Sequence, residues 1–414
     1  MKIRIHRGGK EIGGNCVEVH ADGASILLDL GEPLMGEVFG EAALPAVEGL
    51  TDGSNPNLLG IVISHPHLDH YGLVQFASPL VPKYLGQEAD RLLQAASAFT
   101  PYGVAFENVH HYRDREAFEI GPFRITPYLA DHSAFDSYSL LIEAAGKRLF
   151  YSGDLRGHGW KSWAFKRLLS DPPRHIDALL LEGTTPSRDD HGPALTEAQL
   201  VEQIAAKIRE TEGIVLAGFS GQNIDRLVTF YKATLKSGRV FVADCYIAHL
   251  LRSIGRATLP DPTSGAMRAF LPSRMKGQIV RNQLFDVVAP FRRSRIYPEE
   301  LFSDKSKWVM TFRASMAGDF EGDGTLEGGR LIYSMWPGYL ERGSPNLRDW
   351  CAKNGVAFDI LHTSGHASRD DLARVVQALK PKTVLPIHTE APEKYGEFGV
   401  SVEFSANGQW HEVV

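Results

Sequence analysis

Cysteine is scarce in this chain. Only Cys16, Cys245 and Cys351 occur among 414 residues, far apart and with no C-x-x-C pair, so neither a disulfide framework nor a zinc ribbon is indicated. Long apolar runs are missing as well. No stretch approaches the ~18 uninterrupted apolar residues of a membrane span, and the amino terminus, MKIRIHRGGKEIGG, has no apolar signal core. No membrane association and a cytoplasmic location are therefore expected. Nor is there a surplus of positive charge: 44 Lys and Arg stand against 50 Asp and Glu, a net charge of −6. A protein that coats nucleic acid non-specifically draws on clustered cations, so that class is disfavoured. Arg274, Lys276 and Arg281, with Arg292, Arg293 and Arg295, form the best local basic stretch. It reads equally well as a solvated face.

Two familiar motifs are approached and missed. GGKEIGG lacks the Ser or Thr that must follow the lysine of a phosphate loop, because Lys10 precedes Glu11. GFSGQ resembles a nucleophile elbow, but Gln222 occupies the position of the second required glycine. Neither an NTPase nor a serine esterase is expected.

What is present is a soluble globular composition, 43% hydrophobic and 23% charged, long enough for two or three folded units at roughly 150 residues each. Short apolar runs of strand length repeatedly stop at an acid or a histidine. ASILLDLG ends at Asp29, LLGIVIS at His65, FRITPYLADHS at His132, RLFYSGD at Asp154, IDALLLEGT at Glu182, FDILHTSGHA at His362 and His366, and KTVLPIHTE at His388. Strands that deliver such groups at their ends build a site along one edge of a sheet. The middle of the chain differs. TEAQLVEQIAAKIRET predicts an amphipathic helix with Thr196 and Gln199 as a capping box, then a strand at 213–218 and a second helix from about Gly221. Another strand (RVFVAD) and short helix (AHLLRSIG) follow, so this region reads as an inserted α/β domain. SRDDLARVVQALK predicts a helix capped by Ser368 with Asp371 three residues on. The expected organisation is 1–186, an insertion at 187–335, and 336–414.

Within SHPHLDHYG, His65, His67, Asp69 and His70 fall inside six residues on a turn that follows a strand. Borderline metals take imidazole nitrogen and carboxylate oxygen at ~2.0–2.2 Å, and this alternation lets one loop feed two ions. Taken in order, Asp29 in LLDLG, the HPHLDH cluster, His132 in DHSAFDS and Asp154 in YSGDL resemble the metallo-β-lactamase superfamily. The resemblance implies an αββα sandwich and two divalent ions. His65, His67 and His132 would hold one, Asp69 and His70 the other, with Asp154 bridging and Asp29 orienting the ligand loops from behind. Zinc is the expected metal, and manganese or iron could occupy the same ligands.

Three later motifs, Glu182 in LLLEGTT, His366 in HTSGHA and His388 in LPIHTE, resemble those of the β-CASP nucleases, above all the ribonuclease J family, over nearly the whole chain. The likeness implies an inserted β-CASP domain, His388 completing the second metal's ligands, and His366 beside the scissile phosphate, held by Glu182. Asp69, Glu182 and His366 are the expected catalytic residues. RNA is the implied substrate ahead of DNA, and a homo-oligomer is compatible with the family. Ser220, Gly221, Asn223 and Arg226, at or just inside a helix amino terminus, resemble the family's phosphate-contacting segment. His366 and Ser220 can also be read simply as helix caps. Two other functions stay open: hydrolysis of small thioesters, lactones or lactams, which needs the metal ligands but not His366, and non-catalytic RNA binding on the same fold.

Overall fold

The computed structural model describes residues 1–101, 103–187, 194–320, 326–342, 346–404 and 406–414. The chain forms two compact units, the first from Met1–Gln94, Val104–Ala194 and Gly365–Val414, the second from Ala95–Gly103 and Leu195–Ser364.

The first unit contains two seven-stranded sheets. One runs β21 (Trp410–Glu412), β1 (Lys2–Arg7), β2 (Cys16–Ala21), β3 (Ala24–Leu28), β4 (Leu58–Val62), β5 (Lys83–Gly86), β6 (Val109–Tyr112). The other runs β20 (Ser401–Val402), β19 (Thr383–Ile387), β11 (Ala178–Glu182), β10 (Lys147–Tyr151), β9 (Tyr138–Ala144), β8 (Phe123–Leu129), β7 (Phe118–Ile120). Side chains alternate across a strand. Thus Leu149 and Tyr151 of β10 and Ala178 and Leu180 of β11 join Ile26 and Leu28 of β3 in the core between the sheets. The opposite set, Phe150, Leu179 and Leu181, packs under the helices Ser162–Ser170 and Arg369–Leu379 through Phe165, Leu168, Leu372, Val375 and Val376. Strands covered on both faces read as continuous apolar runs, which is how ALLLE and SILL appear in the sequence. The arrangement is the expected αββα sandwich.

Topology places the polar residues. β3 and β4 are parallel, as are β10, β11 and β19. β8 reaches the same direction as β10 through two antiparallel pairings with β9. Asp29, Ser64, His132, Asp154, Glu182 and His388 therefore all sit at or just beyond carboxyl ends of strands.

The second unit is a parallel seven-stranded sheet in the order β15 (Arg295–Ile296), β14 (Met267–Phe270), β13 (Val240–Asp244), β16 (Trp308–Phe312), β12 (Val215–Gly218), β17 (Arg330–Tyr333), β18 (Ala357–Ile360). Several of its helices begin at side-chain caps. Thr196 and Gln199 close the anticipated capping box on Glu197–Arg209, Asn223 caps Ile224–Lys236, and Asp244 caps Cys245–Ile254.

Two boundaries differ from the expectation. The second unit ends at 364 rather than 335, because β18 pairs along its length with β17. Residues 95–103 also belong to it, with Phe99 meeting the rings of Tyr246 and His249 edge-on.

In the first unit, the segment after β3 lies directly on the turn that carries Asp69 and His70. Leu30 N–H donates to the His70 carbonyl at 2.9 Å and Glu32 N–H to that of Leu68 at 3.0 Å. Gly31 sits between them, and a Cβ there would lie 1.7 Å from the Asp69 carbonyl oxygen. Backbone cannot yield as a flexible side chain would. Gly31→Ala is expected to cost about 2 kcal/mol or more of stability, the upper range for overpacking, and to displace Asp69. Thermal unfolding and metal stoichiometry of the variant check both effects, and an unchanged melting temperature would contradict the close contact.

Candidate metal centre

The histidine turn leads directly from β4. The helical turn Leu68–Tyr71 places Asp69 and His70 one residue apart at its start, after His65 and His67 in extended chain. His132 enters from the loop after β8, Asp154 after β10, His366 ahead of the helix Arg369–Leu379, and His388 directly after β19. These side chains meet around one oxygen. Asp154 Oδ2 lies 3.3 Å from His70 Nε2, 3.6 Å from His65 Nε2, 3.8 Å from His132 Nε2, 3.7 Å from His388 Nε2 and 3.6 Å from His366 Nδ1.

The groups are ligand-spaced. His65, His67, His132 and Asp154 form one set, Asp69, His70 and His388 another, and Asp154 approaches His366 and His388 as well. His65 Nε2, His70 Nε2, His388 Nε2 and both carboxylate oxygens of Asp154 are buried with no hydrogen-bond partner among the described residues. Buried polar atoms are normally satisfied. Five such atoms facing one volume, all of types that bind borderline divalent cations, fit a metal centre.

Electrostatics agree with that chemistry. Burial pushes His65 and His132 well below the ordinary imidazole value, lowers His67 to about 4 and lowers His388, leaving these rings neutral with lone pairs available. Burial acts the same way on His70, but the Asp154 and Asp29 carboxylates outweigh it and raise this ring well above its usual value. Burial likewise opposes the charge on Asp154, and His388, His70 and His366 overcome it and hold the carboxyl well below its normal range.

Hydrogen bonds behind the ligands set their orientation. Asp29 holds a left-handed φ of 57°; its Oδ1 accepts from Ser64 N–H at 2.6 Å, and its Oδ2 lies 2.7 Å from His70 Nδ1. His132 Nδ1 is 2.5 Å from the Gly365 carbonyl. Glu182 is buried and accepts from the backbone N–H groups of Leu155, Thr184 and Ala367, and its Oε2 lies 3.4 Å from His366 Nδ1. His366 remains 17% exposed, whereas the side chains of His65, His70, His132, Asp154 and His388 are at most 1% exposed.

The insertion's candidate anion segment separates into different roles. Ser220 is exposed and, with Gly221, borders a cavity of about 400 Å³ walled by Phe219, Tyr246, Phe312 and Tyr333. The Asn223 side chain is taken up in capping Arg226 N–H. Arg226 corrects the sequence reading, because it is 0% exposed and offers nothing to a ligand. Its guanidinium pairs with buried Glu197 at 3.2 Å and donates to the carbonyls of Ser334 and Thr363 at 2.8 and 3.0 Å. His362 lies 3.2 Å from the same guanidinium, so of the two histidines in HTSGH only His366 reaches the metal centre. Arg274, Lys276, Arg281, Arg292 and Arg293 are exposed, and Arg295 lies over the Tyr297 ring.

Sequence reasoning missed Asn15, Ser64 and Tyr151, which contact Asp29 or one another behind the ligands. The available signal was position. Ser64 precedes the first histidine, Tyr151 ends the strand that delivers Asp154, and Asn15 closes EIGGN.

Residues 26–211 match a family described as a beta-lactamase superfamily domain, and residues 355–396 one described as a Zn-dependent metallo-hydrolase RNA specificity domain. The chain is similar to a protein named ribonuclease J from Sinorhizobium meliloti, 25% identical over 382 residues, covering 88% of this chain and 64% of the relative. It is 26% identical over 430 residues to an RNase J-like protein of Methanocaldococcus jannaschii, covering all of this chain and 88% of that one. A crystal structure of a protein of unknown function from Enterococcus faecalis superposes with a TM-score of 0.80 at 21% identity over 99% of both chains, which shows the fold.

Asp154→Ala is expected to abolish metal retention, because five imidazoles of the centre face that carboxylate. Elemental analysis showing wild-type metal content would refute its central place. Arg226→Ala should instead lower stability by about 3–5 kcal/mol, since it strands a buried Glu197, and leave metal content unchanged. Denaturant unfolding with wild-type stability would return Arg226 to a surface role.

Proposed function

We propose that this ribonuclease J-like chain, with its metallo-β-lactamase fold, is a metal-dependent ribonuclease that hydrolyses phosphodiester bonds. The observation that carries the reading is the pair His366 and Glu182 at the partly exposed rim of the metal centre. A hydrolase of small thioesters, lactones or lactams needs the metal ligands but has no use for a further histidine held there by its own buried acid. RNA is favoured because the RNA specificity match at 355–396 contains both His366 and His388. The chain spans 64% of the S. meliloti relative's length.

In this reading His65, His67 and His132 hold one ion and Asp69, His70 and His388 the second, with Asp154 facing both. Zinc suits an imidazole-rich set, and manganese fits the same donors. Bound there, two divalent ions supply Lewis acidity and bring the pKa of water towards 7. The protein's part is positional. Buried neutral imidazoles keep their lone pairs on the centre, and three backbone N–H donors fix the Glu182 carboxylate. Glu182 in turn orients His366, placing an imidazole that can donate a proton beside the metal centre, where negative charge develops on the departing oxygen. No described helix is long and apolar enough to cross a membrane. Three free, buried cysteines accord with a reducing, cytoplasmic location.

The test is hydrolysis of end-labelled single-stranded RNA by metal-loaded protein, run beside His366→Ala and a panel of thioesters, lactones and lactams. His366→Ala should retain both ions while RNA turnover falls about 10²-fold or more. Turnover of a small substrate with no RNA cleavage would overturn the assignment.

A further inference from the structure

The hydrogen bonds behind the ligands are directional, and their directions are linked. An imidazole that presents Nε2 to a cation must carry its proton on Nδ1 and needs an acceptor there. For His70 the acceptor is Asp29 Oδ2, at 2.7 Å. For His65 it is Ser64 Oγ, at 3.0 Å, whose own hydroxyl donates to Asp29 Oδ2 at 2.8 Å. For His388 the path is longer. Its Nδ1 lies 3.0 Å from Asn15 Oδ1, Asn15 Nδ2 donates to the Tyr151 hydroxyl at 3.4 Å, and that hydroxyl donates to Asp29 Oδ2 at 2.6 Å.

The three paths end on one oxygen. We propose that Asn15 and Tyr151 are positioning residues for the metal centre: with Ser64 they connect His65, His70 and His388 to Asp29 in one relay that fixes all three ligands in the Nδ1-protonated tautomer. The inference rests on the reading that the cluster binds metal and is independent of the substrate.

One contact discriminates between tautomers. Gly13 N–H also approaches His388 Nδ1, at 3.3 Å, and would need that nitrogen as an acceptor. The two contacts make opposite demands on Nδ1. If Gly13 prevailed, the proton would sit on Nε2, which is buried and has no hydrogen-bond partner, with the Asp69 and Asp154 carboxylates 3.7 Å away. The shorter contact to Asn15 leaves a lone pair on Nε2 instead, as a ligand requires. Asn15 can then accept from His388 and donate to Tyr151 only in one amide orientation, which the Tyr151 hydroxyl selects by donating onward to Asp29. Burial pushes the Tyr151 phenol well above its ordinary value, so it stays a donor. Both ends of this path occupy left-handed backbone immediately after a strand, Asp29 at φ 57° and His388 at φ 55°. Such conformations are uncommon for these residues and persist where surrounding contacts impose them.

The experiment is metal titration of the full chain by chelator competition, with thermal unfolding as a control. It compares wild type, Tyr151→Phe, Asn15→Leu and the double variant. Tyr151→Phe removes one hydroxyl without changing the ring. The relay predicts two binding steps in wild type and a second-ion affinity about 10–100-fold weaker in either variant, the usual scale for removing a hydrogen-bond partner of a ligand histidine. The first ion should be affected less than about 3-fold, since His65 reaches Asp29 through Ser64 and His67 and His132 do not use the Asn15–Tyr151 branch. The double variant should lose little more than the worse single variant, because both break the same chain. Nitrogen-15 spectra of the zinc-loaded variants should show the His388 ring no longer confined to one tautomer. Unchanged affinities for both ions in Tyr151→Phe, or losses that add in the double variant, would overturn the relay. A wild type that binds no metal would instead refute the metal reading, and the relay with it.

Discussion

Asp154 is the constraint around which the first unit is organised. Five imidazoles approach a single carboxylate oxygen within 3.8 Å, and neither oxygen of the group has a hydrogen bond among the described residues. Sequestering a carboxylate away from water is costly unless positive charge accompanies it. The chain concentrates that cost at one point, and strands from both sheets converge on it. The helices outside the sandwich, the glycine that lets the Asp69 turn settle on the segment after β3, and the acids behind the ligands all serve to hold this arrangement still.

The same economy of position separates the ligands from the residue proposed to act on substrate. Those directly around Asp154 are almost fully buried, fit for coordination, whereas His366 keeps some exposure and a dedicated acid in Glu182. Different surroundings thus give chemically identical imidazoles different tasks, as is general where neighbouring titratable groups divide labour.

Much of this was legible in the sequence because the signals were local. Four candidate ligands within six residues, a capping box at Thr196 and Gln199, and acids or histidines ending apolar runs each depend on near neighbours; the structure closes the capping box and brings the candidate ligands together. What was not legible depended on long-range contacts. Arg226 lies one turn into its helix and could have faced solvent or core, and only the arrival of Glu197, Ser334 and Thr363 decides which. Asn15 and Tyr151 are distant in sequence and read as ordinary residues at strand edges. The end of the insertion was set too early because AFDI looks like a strand of either unit, and pairing with β17 is not written in its composition.

The misread arginine bears on how a chain so interrupted assembles at all. In the first unit β11 pairs with β19, matching Ala178 with Thr383, so the sandwich cannot close until everything between them is accommodated. Bringing together the ends of an unstructured loop as long as 195–364 would cost on the order of 4–5 kcal/mol in chain entropy. The second unit removes that cost internally. Thr363 donates to the Leu195 carbonyl at 2.5 Å, and Arg226 joins Glu197, near the entry, to the Thr363 carbonyl at the exit. Once folded, the insertion brings its own two ends, residues 195 and 363, as close together as those of a short turn.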